Sequence, residues 1–438
     1  MDRLGAGEAT ARALLEETLA AISATNGDWH VFTSIAADAA RLAADASDER
    51  RRAGSLLGPL DGVPVAIKDN IDVAGLVTTN GASFRTEPAS TDAVVVRRLR
   101  QAGAVIVGKL NMHEGALGAT TDNPFWGRCE NPRVPGHTPG GSSGGSGAAI
   151  AGGLVPITLG TDTMGSVRIP AAYCGAWGLK PTRGLVPTGG LSLLSWTLDS
   201  IGPLAGNADD LAQAFSAMAG RDPMDPDGFC APDRIDPGLP AIDLTGVTLG
   251  VSSAVDEVAC EPEVKVAYLS MLDAASNAGA TVRPVDVAGW RPTEARRAGL
   301  LVSEAEGGFV HGREIDAGGD AFSSPFRAMI EYGRRAPGER LAAAYHRLRD
   351  LRAATLRAVL QVDVLLLPTA PQRAFPHGAP APVNQADLTA VANIAGCPAV
   401  AFPREAADGG APCSIQLIGR PWSDMQLIAI AREMDRLK

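Results

Sequence analysis

The chain has 438 residues, 45% hydrophobic and 20% charged, a balance that excludes a disordered or collagen-like polypeptide despite 50 glycines and 31 prolines. Lysine and arginine number 39 against 49 aspartates and glutamates. The resulting net charge of −10 opposes direct binding of nucleic acid or of an anionic membrane.

The opening Met1 to Glu17 lacks the apolar stretch of a secretory signal, and no apolar run is long enough to span a bilayer. The nearest, Ala148 to Leu159, is broken by Gly152, Gly153 and Pro156. A cytoplasmic protein is expected. Cys129, Cys174, Cys230, Cys260, Cys397 and Cys413 are scattered, without C-x-x-C spacing or a nearby His pair. They read as small buried side chains, not as a disulfide framework or a zinc site.

In chain order, apolar spacing predicts amphipathic helices over Ala9 to Ala21 and Phe32 to Ala44, then a turn region from Gly54 to Gly62. Val63 to Lys68 and Ala104 to Lys109 are short apolar runs that read as strands. Between them lies a helical segment, Thr91 to Ala102, closed by Gly103. A strand, helix, strand unit requires part of the sheet to be parallel, with covered faces. Further strands are expected at Leu154 to Leu159, Val247 to Ser252, Val362 to Leu367, Ala399 to Phe402 and Ser414 to Ile418. Helical patterns at Glu263 to Asn277 and Ala342 to Val359 interleave with them. Ser423 and Gln426 form a capping box before a last helix striped by Met425, Ile428, Ala431 and Met434. The Pro-rich stretch Pro368 to Pro382, flanked by apolar strands, reads as a surface loop near a site. The pattern as a whole is that of one α/β unit.

The segment Pro139 to Ala148 is rich in glycine and serine and runs straight into an apolar helix, so small residues there serve a tight turn. As a phosphate cradle it lacks the Lys-Ser/Thr pair, since Ala148 and Ala149 follow Gly147. Gly141 to Gly145 fits a nucleophile elbow centred on Ser143, with His311, His346 and His377 downstream as candidate bases. A third reading joins Lys68 at its strand end, Ser142 and Ser143 in the Gly-rich turn, and Ser166 within Gly160 to Pro170. Desolvation of a lysine delivered by an apolar strand disfavours the ammonium and makes a base available near neutral pH. One serine then becomes a nucleophile, a second can relay its proton, and the Gly165-Ser166 turn offers backbone N–H donors to an oxyanion.

Gly-Gly-Ser-Ser-Gly-Gly-Ser-Gly, then Gly-Thr-Asp-Thr-x-Gly-Ser-x-Arg-x-Pro, then Gly175-Ala-Trp-Gly-Leu-Lys-Pro-Thr182, resembles the amidase signature family. The overlap is strongest from Leu60 to Pro203, and Gln416 to Pro421 resembles the family's closing strand and turn. The resemblance implies one domain over residues 1–438, built on a single large mixed, mostly parallel central sheet covered by helices on both faces. Residues 1–55 would be N-terminal helices, 56–205 the core with the catalytic residues, and 206–438 a variable helical region with closing strands. It implies a Ser, cis-Ser, Lys triad of Ser166 as nucleophile, Ser142 as relay and Lys68 as base, with no metal or organic cofactor. Oxyanion donors would come from the main chain of Thr163, Met164, Gly165 and Ser166, and a substrate contact from the carbonyl of Ala116, in a loop that also holds His113. Ser143, Asp162 and Arg168 would support the two catalytic turns, although Asp162 and Arg168 also read as a plain ion pair.

The family usually has glycine where this chain has Met164, which raises the prospect of backbone strain there or of a side chain lining the pocket. The implied activity is hydrolysis of the C–N bond of a small-molecule amide through an acyl-Ser166 intermediate. Carbamate, urea or ester hydrolysis on the same triad stays open. So do an α/β-hydrolase esterase using Ser143, a glutamine-hydrolysing component of a tRNA-dependent amidotransferase, and a non-catalytic binding member. Phe125, Trp126, Trp196 and Trp290 are candidates for an apolar pocket, equally readable as core. Nothing in the residues specifies the acyl group, and there is room for a homo-oligomer.

Overall fold

Short runs of valine, isoleucine and leucine, stopped by glycine or proline, build the strands around which the molecule is organised. A computed structural model describes residues 2–318 and 321–437. Its strands are β1 (Phe32–Ile35), β2 (Pro64–Lys68), β3 (Val105–Leu110), β4 (Asp122–Asn123), β5 (Gly127–Arg128), β6 (Ile157–Thr161), β7 (Trp177–Lys180), β8 (Ile201–Ala205), β9 (Thr248–Val251), β10 (Thr281–Pro284), β11 (Val364–Pro368), β12 (Ala399–Arg404) and β13 (Cys413–Gly419). All but the small hairpin β4–β5 join one 11-stranded sheet in the order β1-β3-β2-β6-β8-β7-β12-β13-β11-β9-β10.

The sheet is mixed. β2 runs parallel to β3 and β6, and β9 runs parallel to β10 and β11, while the remaining neighbours are antiparallel. The parallel character expected from the strand, helix, strand unit therefore holds for two patches, one of which carries Lys68. Every residue of β2, β3, β6, β7, β8, β11 and β13 is buried, which requires cover on both faces. Helices supply it, and none among the described residues is long and apolar enough to cross a membrane.

Two expectations need correction, and two strands escape the pattern. The helix predicted from Phe32 to Ala44 is a strand, Phe32–Ile35, followed by a helix from Ala37 to Arg52. Pairing against β3, extended by the Ala36 N–H to the Val107 carbonyl, overrides the helical spacing. Strands β7 and β8 carry no strand signal because Gly178, Gly202 and Pro203 interrupt them. Their glycines are steric, since a Cβ on Gly202 would lie 1.9 Å from the Leu179 carbonyl oxygen. The capping box does not form either. Ser423 turns its hydroxyl back to the Arg420 carbonyl at 2.7 Å, and Asp424 in the first turn accepts from Thr182.

Candidate active site

The site begins where two parallel strands end side by side, the usual address of a ligand in such sheets. β2 delivers Lys68 and β6 delivers Thr161. The Lys68 side chain is fully buried, and its Nζ donates to Ser142 Oγ at 2.7 Å and to Thr161 Oγ1 at 2.7 Å. Asn70 Nδ2 donates to the same Thr161 oxygen at 3.1 Å. Burial pushes Lys68 down to about 7, against the opposing pull of Asp199 and Asp162. Among the described residues it has no ion-pair partner.

Ser142 sits in the Gly-rich turn, after a cis Gly141–Ser142 peptide. The turn needs small residues because it is pressed against other backbone. A Cβ on Gly145 would lie 2.4 Å from the Asn111 carbonyl oxygen, and one on Gly141 would lie 2.8 Å from the Thr120 nitrogen. The His113 N–H donates to the Ser142 carbonyl at 3.0 Å, tying the turn to the Asn111 to Gly118 loop. Ser143 stitches three segments together. Its hydroxyl donates to the Thr161 carbonyl at 3.1 Å and accepts the Thr161 N–H at 3.2 Å, while its own N–H donates to the Ser166 carbonyl at 3.2 Å. No described histidine contacts Ser143. His311 meets the Leu193 carbonyl, His346 pairs with Asp350 and His377 with Glu130, so the nucleophile elbow has no base.

Ser166 lies in the turn after β6, and a buried polar cluster shapes that turn. Asp162 accepts the Gly165 N–H at 2.6 Å and the Val167 N–H at 3.1 Å, and pairs with Arg168 at 3.0 Å, with both side chains fully buried. Burial alone would raise the Asp162 carboxyl, but Arg168 and Asn393 bring it down to about 2. Arg168 also donates to the Thr389 carbonyl, Gln416 Oε1 and Asn393 Oδ1 at 3.0, 2.9 and 2.6 Å. The Asp162–Arg168 contact is thus both an ion pair and a template for the Ser166 turn. Gly165 has φ 135°, and a Cβ there would lie 2.4 Å from Thr389 Oγ1, so only glycine fits. The Gly165 N–H, one of the four expected oxyanion donors, is held by Asp162 in this structure.

Ser166 opens on a cavity of about 320 Å³ lined by Ala116, Thr163 and Met164 together with Leu117, Ile169 and Leu300, among others. The described non-glycine residues with positive φ are His30, Asn80, Ala116, Thr121 and Trp422, so Met164 occupies ordinary backbone space and its side chain joins the cavity wall. Phe125, Trp126, Trp196 and Trp290 are not on that wall. Trp290 is core, Trp126 donates to the Ala82 carbonyl, and Trp196 is exposed against Phe309.

Several participants left no local signal. Thr161 and Asn70 flank recognisable motifs, but Asp199 accepts the Thr163 hydroxyl at 2.6 Å across 36 positions. Asp199 is itself pushed up to about 6 by burial. Thr389, Asn393 and Gln416 reach Arg168 from more than 220 positions away. Only a fold that stacks β12 and β13 beside β7 brings them there.

A family model described as Amidase matches residues 13–428. AtzE, one of the subunits of the 1-carboxybiuret hydrolase of Pseudomonas sp. (strain ADP), is 37% identical over 448 residues, covering 97% of this chain and 94% of that protein. The glutamyl-tRNA(Gln) amidotransferase A subunit of Chloroflexus aurantiacus is 38% identical over 470 residues, covering 99% of this chain and 94% of that one. A solved structure of an s-triazine catabolic enzyme in a vestigial protein complex is also similar. It has a TM-score of 0.91 at 36% identity and covers 100% of this chain and 98% of that chain. With matches running almost from end to end, over the segments whose turns meet around Lys68 and Ser142, the chain belongs to the amidase signature family.

Proposed function

We propose that the chain is a serine amidohydrolase in which Ser166 is the nucleophile, Ser142 the proton relay and Lys68 the terminal base. The observation that carries this reading is the 2.7 Å contact between a fully buried, carboxylate-free lysine amine and the Ser142 hydroxyl. A neutral amine donates to Thr161 and keeps its lone pair for the Ser142 proton. Ser166 Oγ attacks the carboxamide carbon while its proton passes to Ser142 Oγ, whose own proton passes to Lys68 Nζ. The oxyanion is received by main-chain N–H groups of Thr163, Met164 and Ser166. Collapse breaks the C–N bond, and the proton returns from Lys68 through Ser142 to the leaving nitrogen. Water then attacks the acyl-Ser166 ester along the same proton route, releasing the carboxylate and restoring the Ser166 hydroxyl.

Support for the Ser166 turn as the acyl site comes from its rigid template, Asp162 and Arg168, and from its position on the cavity wall. Ser166→Ala should retain the fold and lower kcat by about 10⁴-fold or more on any hydrolysed amide. A variant with wild-type kcat would remove Ser166 from the role. The similarity to an amidotransferase component favours a second reading, hydrolysis of glutamine for a partner. Glutamine-dependent ammonia release would support it, and hydrolysis of simple amides without glutaminase activity would exclude it.

A further inference from the structure

The wall in front of Ser166 is made mainly of aliphatic and thioether side chains, among them Leu117, Met164, Ile169, Leu194, Leu300 and Met329. Ser166 apart, each of its polar side chains makes at least one bond to the protein. The Thr163 hydroxyl donates to Asp199 at 2.6 Å, the Ser303 hydroxyl to the Gly299 carbonyl at 2.9 Å, and Gln385 Oε1 accepts from Tyr173 at 3.1 Å. Arg296, the charged side chain on this wall, is paired at 2.5 Å with a buried Asp387 that also holds Thr293. A charged ligand group would shed its water here without meeting an unpaired counter-ion. An apolar group would instead gain from burial.

The cavity's length has a local determinant. Met164 points at the helix Pro292–Val310, where a Cβ on Gly299 would lie 2.8 Å from the Met164 sulfur. The thioether therefore rests against bare backbone, and the volume left, about 320 Å³, is on the order of ten water-sized shares. Resting on the reading of Ser166 as nucleophile, we infer that the substrate is an amide whose non-reacting group is uncharged and apolar, a short alkyl or aryl group, and that Met164 seated against Gly299 sets its length. A smaller residue at position 164 lengthens the pocket. A methyl on Gly299 displaces the thioether toward the cavity and shortens it.

The test is covalent labelling of the full chain by alkyl fluorophosphonates bearing ethyl, butyl, hexyl and octyl groups, with a carboxybutyl analogue, followed by mass spectrometry of the Ser166 peptide. The second-order rate should rise roughly four-fold per methylene until the cavity is full, and the carboxybutyl probe should react about ten-fold more slowly than butyl. Met164→Ala should move the optimum to longer chains and Gly299→Ala to shorter ones. Equal rates along the series, or faster labelling by the carboxybutyl probe, with Ser166 still modified, would overturn the apolar pocket and leave the nucleophile standing. No adduct on Ser166 with any probe would overturn the nucleophile, and this inference with it.

Discussion

Lys68 and Lys109 lie near the ends of neighbouring parallel strands, both completely buried, and they do opposite things. Lys109 pairs with Asp69 at 2.8 Å and donates to Thr78 Oγ1 at 3.0 Å, so its charge is compensated. Lys68 meets two hydroxyls and no carboxylate. The cause is the sheet's two-residue period. Lys68 registers with Leu110 while Lys109 registers with Ile67, which puts the two amines on opposite faces. One face offers an acid and makes a structural cation; the other offers serine and threonine and makes a candidate base. Burial alone does not create a base, because the partner decides which protonation state burial favours.

The sharpest way to break that contrast is to exchange each lysine for methionine. Lys68→Met should lower kcat/KM by about 10²–10⁴-fold or more while the protein stays folded, measured by initial rates beside denaturant melts. Lys109→Met should act through stability, at a cost of about 3–5 kcal/mol, because it strands the buried Asp69 carboxylate. The double variant Lys109→Met, Asp69→Leu should recover much of that loss, and failure to recover any would mean that the pair does more than neutralise itself.

A pH series sharpens the same contrast. With Lys68 held near 7, kcat/KM should rise with pH through about 7 and then level, because the proposed mechanism needs the neutral amine. The stability linkage runs the same way. The native lysine titrates below its ordinary value near 10.5, so the unfolded chain binds the extra proton between about 7 and 10.5, and stability rises with pH across that window. Lys68→Met should therefore look most favourable for stability below pH 7, and the advantage should shrink toward pH 10 when melts are compared across the range. The smallest effect concerns Asp199, whose charge pulls Lys68 upward. Asp199→Asn keeps an acceptor for Thr163 but removes that charge, and should move the alkaline-rising limb to lower pH by up to about one unit. An unmoved limb would show that Asp199 acts only on the Thr163 to Ser166 turn.

How much is readable without the fold differs by residue. Lys68, Ser142 and Ser166 each sit in a locally distinctive stretch: an apolar strand ending in lysine, a turn too small for side chains, and a glycine-serine turn after a strand. Their steric reasons are local too, as the contacts at Gly141, Gly145 and Gly165 illustrate. Asp199, Thr389, Asn393 and Gln416 sit in stretches with no chemistry of their own, and their roles exist only through contacts made across the chain. Phe32 to Ile35 misleads for a related reason: an edge strand is decided by the neighbour it pairs with, and β3 lies more than 70 positions away.

Composition and motif spacing alone were enough to point to α/β architecture and to nominate Lys68 with Ser142, Ser143 and Ser166, because these follow from residue type and near neighbours. Which lysine faces hydroxyls and which faces an acid, which N–H groups of the Ser166 turn are left free, and that Met164 lies against Gly299 were decided only by tertiary packing. These properties depend on what stands across a gap of a few ångströms, and the chain settles that only when strands far apart in sequence come into register.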